Sequence, residues 1–159
     1  MLWCNSGENR LFAGQFDHAI DDKGRVSIPS RFRDVLQAAG HSTLMITNNY
    51  ISGEPCLDLY PPDEWAKLIG RLNERPRFDP DIQAFETFYI AGAHELQVDR
   101  QGRILIPNRL REHARLQRDV VFSAKHSIFQ LWTRELLDKV RQHSIELMKS
   151  PEFHAKLGI

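Results

Sequence analysis

The chain has 159 residues, 42% of them hydrophobic and 26% charged, a globular composition that excludes disorder along its whole length. Lys+Arg and Asp+Glu both number 21, so the formal net charge is zero; that counts against a broadly basic nucleic-acid surface and leaves room only for a local cluster of cations. The two cysteines, Cys4 and Cys56, have no CxxC partner, which argues against a disulfide framework or zinc site, and no apolar run approaches the roughly 20 residues of a membrane helix.

Residues 1–11 are expected to form a poorly ordered lead-in without the apolar core of a signal peptide. Asp21-x-x-Gly24-Arg25 reads as a tight turn, with the Asp21 carboxylate accepting from backbone amides and Gly24 taking a positive φ. Val26-Ser27-Ile28 alternates as a short strand. Pro29 opens a helix whose inner stripe is Phe32, Val35 and Leu36 and which Gly40 ends.

Strands are expected at Ser42–Thr47 and Cys56–Tyr60, joined through the turn residues from Asn48 to Pro55. Pro61-Pro62-Asp63 starts a helix with the stripe Trp65, Leu68, Ile69, Leu72. A helix around Pro80–Ala93, with Ile82, Phe85 and Tyr89 on one side, links to a second turn at Asp99 and Gly102. Strand Ile104–Ile106, Pro107 and a helix with Leu110 inward follow. Strands at Val120–Ser123 and Ile128–Trp132 precede a last helix, striped by Leu136, Leu137, Val140, Ser144, Leu147 and Met148 and broken at Pro151.

The second half repeats the first. Without gaps, Asp21, Gly24, Arg25, Ile28, Pro29, Arg31 and Arg33 match Asp99, Gly102, Arg103, Ile106, Pro107, Arg109 and Arg111. CLDLYPPDEW (56–65) and IFQLWTRELL (128–137) echo each other, with Trp65 and Trp132 placed as matching core aromatics. The chain therefore divides into residues 12–80 and 81–159.

The repeated D-x-x-G-R-h-x-I-P-x-x-h-R pattern, where h is apolar, resembles that of the AbrB/SpoVT family. Doubled, and with Phe12-Ala13-Gly14, Cys56 to Pro61 with Trp65, His94-Glu95 and Leu131-Trp132, it is similar to the MraZ family over most of the chain. The resemblance implies an α+β fold: two tandem AbrB-like swapped-hairpin β-barrel units forming an intrachain pseudo-dimer with flanking helices. It also implies a cytoplasmic, nucleoid-associated regulator, assembled as a ring-shaped homo-oligomer on repeated promoter elements in double-stranded DNA. In the family the target lies ahead of the cell-division and cell-wall genes, and the usual effect is repression. The chain departs from the AbrB pattern where basic residues often precede the motif aspartate: His18 and Ala19 stand there in one copy, Leu96 and Gln97 in the other.

The DNA-contact candidates are Lys23, Arg25 and Arg103 on the turns and Arg31, Arg33, Arg109 and Arg111 on the helices. Arginine offers guanine a planar fork, and lysine offers phosphate a point charge. Lys23 is matched by Gln101, so the turns are electrostatically unequal. Arg25 and Asp21 also stand where they can pair with each other, and the denser set Arg109, Arg111, Arg115 and Arg118 reads as a solvated helix face. Arg31 and Arg33 diverge by about 200° around a helix, flanking Phe32. Asp21, Gly24, Asp99 and Gly102 are turn-formers.

An enzyme is the rival class. His94-Glu95 lacks the second histidine of a metalloprotease helix, and no phosphate loop or nucleophile elbow is present. No cofactor, metal or small-molecule ligand is expected. The other alternative is a protein-interaction module or antitoxin-like partner with the same fold, docking through the apolar stripe that ends at Met148.

Overall fold

The structure is a computed structural model that describes residues 11–159. The expected lead-in lies, apart from Leu11, outside the described residues, as does Cys4. Strand β1 (Gln15–Ala19) enters the first turn, β2 (Arg25–Ser27) leaves it, and α1 (Ser30–Ala38) follows Pro29, burying Phe32 and Leu36. β3 (Thr43–Ile51) and β4 (Glu54–Tyr60) form a hairpin, followed by α2 (Pro62–Asn73) and α3 (Pro80–Phe85). The second half repeats the order as β5 (His94–Gln97), β6 (Arg103–Leu105), α4 (Asn108–His113), β7 (Asp119–Lys125), β8 (Ile128–Trp132) and α5 (Arg134–Met148); α6 (Pro151–Leu157) ends it. The class is α+β.

Several elements differ from their expected bounds. The segment from Asn48 to Pro55 is mostly strand; the turn is only Ser52-Gly53, both at positive φ, the two-residue connection that suits twisted strands. Tertiary partners carry the strand further: buried Asn48 donates to the Phe88 carbonyl at 2.8 Å, and Asn49 donates to Asp58 at 2.8 Å. The helix expected around Pro80–Ala93 stops at Phe85 and continues as one π turn, Glu86–Ile90, closed by the Ala91 amide on the Glu86 carbonyl at 2.9 Å. Helix α4 ends at His113, with Arg115 at φ 57°, so Arg109, Arg111, Arg115 and Arg118 do not share a helix face. Trp132 closes β8 and is buried, paired with Val121 of β7 and matching Tyr60 in the sequence repeat, whereas Trp65 lies on α2 and is half-exposed; the two tryptophans are not equivalent.

The strands exchange between halves. The main sheet runs β1-β7-β8-β4-β3-β5, every pairing antiparallel. Thus β1 of the first half extends the β7–β8 hairpin of the second, and β5 of the second extends the β3–β4 hairpin of the first. The hairpins meet at the centre, where Leu57, Asp58 and Leu59 face Leu131, Gln130 and Phe129. A two-stranded ribbon of β2 and β6 covers one side, and Val26 and Ile104 from its strands, with Ile28 and Ile106 just after them, are at most 1% exposed.

Those four side chains pack into one core with Phe32 and Leu36 of α1, Leu110 of α4, and Leu57, Leu59, Phe122, Phe129 and Leu131 of the sheet. Both repeats supply it. On the other side of the sheet, Cys56, Val121 and Trp132 pack with Leu136 and Leu137 of α5. Beyond Val140 the α5 stripe emerges, leaving Leu147 and Met148 exposed, and the α2 stripe of Trp65, Leu68, Ile69 and Leu72 is only half-covered.

The same side of the central strands holds a buried polar cluster. The Asp58 carboxylate accepts from Gln130 at 2.7 Å, Asn49 at 2.8 Å and the Tyr89 hydroxyl at 2.5 Å. Burial raises its pKa, while these three donors hold it down. Tyr89 belongs to the π turn, so the cluster fastens the connection between the halves to the sheet centre. No helix among the described residues is long and apolar enough to cross a membrane.

Candidate nucleic-acid interface

The two D-x-x-G-R turns have nearly identical construction. Asp21 Oδ1 accepts from the Lys23 and Arg25 amides, each at 2.9 Å, and its Oδ2 accepts from Arg25 Nε at 2.8 Å. In the second copy Asp99 Oδ1 accepts from the Gln101 and Arg103 amides, each at 2.9 Å, and Oδ2 from Arg103 Nε at 2.9 Å. Each turn also closes through its backbone: the Asp21 and Asp99 amides donate to the Arg25 and Arg103 carbonyls, and the Gly24 and Gly102 amides return to the Asp21 and Asp99 carbonyls. One aspartate therefore shapes its turn and orients its arginine. The pair is exposed and screened by solvent, so its effect is orientation more than stability.

Both carboxyls are held below the usual carboxylate range, first by the amide of Arg25 or Arg103 and then by that residue's side chain. Because the folded value is the depressed one, the contribution to stability is present above the unfolded value of about 3.9 and is lost as pH falls through the folded value. Carbon-13 titration of the Asp21 and Asp99 carboxyls is expected to give midpoints below about 3.9. Midpoints at or above that value would show that the braces do not form.

The ribbon sets the spacing of the arginines. Arg25 pairs with Leu105, Val26 with Ile104, and Ser27 with Arg103. Side chains alternate along each strand, so Val26 and Ile104 point into the core while Arg25, Ser27, Arg103 and Leu105 share the outer face. Arg25 and Arg103 lie diagonally on it, two residues along and one strand across, or about 8 Å between Cα atoms. Leu105 beside them is 55% exposed. Crossed bonds lock the turns to the ribbon: the Ile28 amide donates to the Gly102 carbonyl and the Ile106 amide to the Gly24 carbonyl, each at 2.9 Å.

The helix arginines separate into two kinds. Arg31 and Arg109 are exposed. Arg33 and Arg111 are half-buried: Arg33 Nη1 donates to the Gln101 carbonyl of the opposite half's turn at 3.3 Å, and Arg111, which lies against Gly24 of the opposite half, donates from Nε to the Ile106 carbonyl of its own half at 3.1 Å. Lys23 is exposed, and its counterpart Gln101 accepts from Arg103 Nη2 at 3.2 Å, so Arg103 is held more fully than Arg25.

Two further cations belong to this surface and were not among the sequence candidates. Exposed Arg100 occupies the place that Asp22 takes in the first copy. The first turn thus sets Asp21 and Asp22 against Lys23 and Arg25, whereas the second sets Asp99 alone against Arg100 and Arg103. Arg118 reaches the first turn because its carbonyl accepts from the Ile20 amide at 2.7 Å; both line a shallow cleft with Asp21 and Asp22. Counting every charge in each turn finds Arg100 from sequence alone; Arg118 is brought in by the fold. Among the described residues no cluster of three or more His, Cys, Asp or Glu side chains is arranged to hold a metal.

Comparison with known proteins places this sequence in a family. The family model described as "MraZ protein, putative antitoxin-like" matches residues 11–88 and again residues 89–156. A transcriptional regulator MraZ from Syntrophobacter fumaroxidans is 39% identical over 149 residues, covering 93% of this chain and 97% of the relative. Its namesake from Caldanaerobacter subterraneus is 40% identical over 129 residues, covering 81% of this chain and 85% of the relative. A third, from Clostridium tetani, is 33% identical over 149 residues, covering 94% of this chain and all (100%) of the relative. With both repeats matched and the likeness extending over most of the sequence, the chain belongs to the MraZ family.

Proposed function

We propose that this chain is a sequence-specific DNA-binding transcriptional regulator that lays the outer face of the β2–β6 ribbon in the major groove. The observation that carries this is the pair of braced arginines, Arg25 and Arg103, set diagonally on one short ribbon. The major groove admits a two-stranded ribbon, and an arginine fork meets guanine O6 and N7 together. The aspartates orient these forks before DNA arrives, which lowers the entropy cost of contact. Lys23 and Arg100 contribute to phosphate binding, and Arg31 and Arg109 stand at the edges of the footprint. The relatives' names as transcriptional regulators support the same function.

The exchange of β1 and β5 between the halves supports an AbrB-like swapped-hairpin pseudo-dimer, with residues 12–80 and 81–159 as its two units. Few cations per chain mean weak binding by one copy. The half-covered α2 stripe and exposed Leu147 and Met148 support self-association into a ring, where several ribbons act at once and avidity rises through effective concentration. We extend the proposal to a cytoplasmic, nucleoid-associated, non-enzymatic repressor of repeated promoter elements ahead of cell-division and cell-wall genes, as the family resemblance implies.

The test is fluorescence anisotropy of a duplex carrying the repeats upstream of the chain's own gene, against a scrambled duplex, across salt concentrations. Specific binding whose affinity falls steeply with salt, with a log–log slope of about −0.9 per neutralised phosphate, is the expected outcome. Equal or absent binding to both duplexes by folded protein rejects DNA reading and leaves docking of another protein.

A further inference from the structure

Arg33 and Arg111 recur at the same motif position, which by residue type alone makes them DNA-contact candidates. Their surroundings assign them differently. Gly24 and Gly102 have φ 86° and 75°, but space constrains them as much as dihedral. A Cβ on Gly24 would lie 2.8 Å from Arg111 Cζ, and one on Gly102 would lie 2.2 Å from Arg33 Cδ. Each arginine thus lies against a backbone that only glycine leaves bare. In both pairs the arginine and the glycine come from different halves.

The polar contact of Arg33 follows the same crossing, whereas that of Arg111 stays within its own half and reaches the first turn through Ile106. Arg33 Nη1 reaches the Gln101 carbonyl, inside the turn that carries Arg103. Arg111 Nε holds the Ile106 carbonyl, while the Ile106 amide holds the Gly24 carbonyl of the turn that carries Arg25. Arg33 Nε is buried with no partner among the described residues, so a phosphate cannot reach it without displacing the turn.

We propose that Arg33 and Arg111 are positioning residues that act across the halves: Arg33 sets the turn presenting Arg103, and Arg111 sets the turn presenting Arg25. Affinity therefore depends on the interface between the repeats, and damage to α1 is read out at the second turn. A lysine cannot take over, because its ammonium lacks the planar fork that lies on the glycine. The inference rests on the DNA-binding function proposed above, but its first test does not need DNA.

That test titrates the Asp21 and Asp99 carboxyls by carbon-13 NMR in full-length Arg33→Ala and Arg111→Ala. The expected result is crossed: Arg33→Ala moves the Asp99 midpoint up towards about 3.9 and leaves Asp21 in place, and Arg111→Ala does the reverse. A shift in the same half's aspartate, in both equally, or in neither overturns the proposal. If an alanine variant does not fold, Arg33→Met or Arg111→Met keeps the apolar stem and serves in its place.

The second test measures affinity for the repeat duplex against salt. Arg33→Ala is expected to weaken binding about tenfold with the salt slope unchanged, and Arg33→Lys does not restore it. Its effect shrinks to less than about twofold in an Arg103→Ala background yet persists in full with Arg25→Ala, because only the first pair acts through one turn. A salt slope shallower by about 0.9 would make Arg33 a phosphate contact and overturn the proposal. Absence of DNA binding by the wild type, with the crossed titration shifts intact, rejects the DNA function and leaves the positioning standing.

Discussion

Replacing Arg25 and Arg103 together by alanine is expected to remove sequence-specific binding while leaving the fold intact. Each arginine–guanine fork is worth about 1–3 kcal/mol of discrimination, so losing both lowers affinity for the repeats by about 2–6 kcal/mol, or roughly one to four powers of ten. The cost in stability is much smaller. The arginine side chains are 34% and 31% exposed, and ion pairs so open to solvent contribute little to stability. After truncation each aspartate still accepts two backbone amides, so the turns persist. Anisotropy on matched and scrambled duplexes, beside a thermal melt, separates the two effects. Unchanged affinity at fixed salt would remove the ribbon from the interface.

The largest expected loss of stability comes from Phe32→Ala. Phe32 is 1% exposed, and its ring centroid lies 5.1 Å from Phe12, 5.3 Å from Phe16 and 4.9 Å from Phe129. Truncation loses the transfer free energy of a buried ring and leaves a cavity that this aromatic cluster fills poorly, about 3–5 kcal/mol in all. That is a large share of the roughly 5–15 kcal/mol that holds a domain folded. Phe129 comes from the second repeat, so the loss is shared by both halves. Urea unfolding is expected to shift as one transition, with fluorescence and far-ultraviolet circular dichroism coincident. Two separated transitions would mean that the repeats fold independently, despite their exchanged strands.

What was legible in the sequence was local chemistry. An aspartate accepts from amides just after it (expected two or three residues on, found two and four), a glycine takes positive φ, and a proline opens a helix; all three act within a few residues, so both turns, β2, β6 and α1 stood close to their expected places. Pairing between distant strands was not legible. The alternation in β1 is satisfied equally by a partner in either half, and only the packed core selects β7, which lies more than a hundred residues further along the chain. The arginines show the same limit. Helical phase places Arg33 and Arg111 beside Phe32 and Leu110, but does not say which backbone the helix crosses. Asp58 in a buried strand contradicts simple patterning, because its three donors come from other strands and the π turn. Equating Trp65 with Trp132 failed because shared residue type was taken for shared position.

The Asp58–Gln130 pair at the sheet centre separates this chain from a dimer of identical subunits. In such a dimer the residue on the two-fold axis faces itself, and two buried aspartates would repel; joining the repeats lets one side become the amide that donates at 2.7 Å. Once self-complementarity is no longer required, the outer surface is free to diverge as well, and Lys23 against Gln101 and Asp22 against Arg100 are the outcome. A palindrome looks the same from either end, and so does a symmetric reader. This chain has a front and a back. In the proposed complex it carries a direction, like an arrow laid along the duplex, and reversing the site beneath it exchanges the two unlike turns.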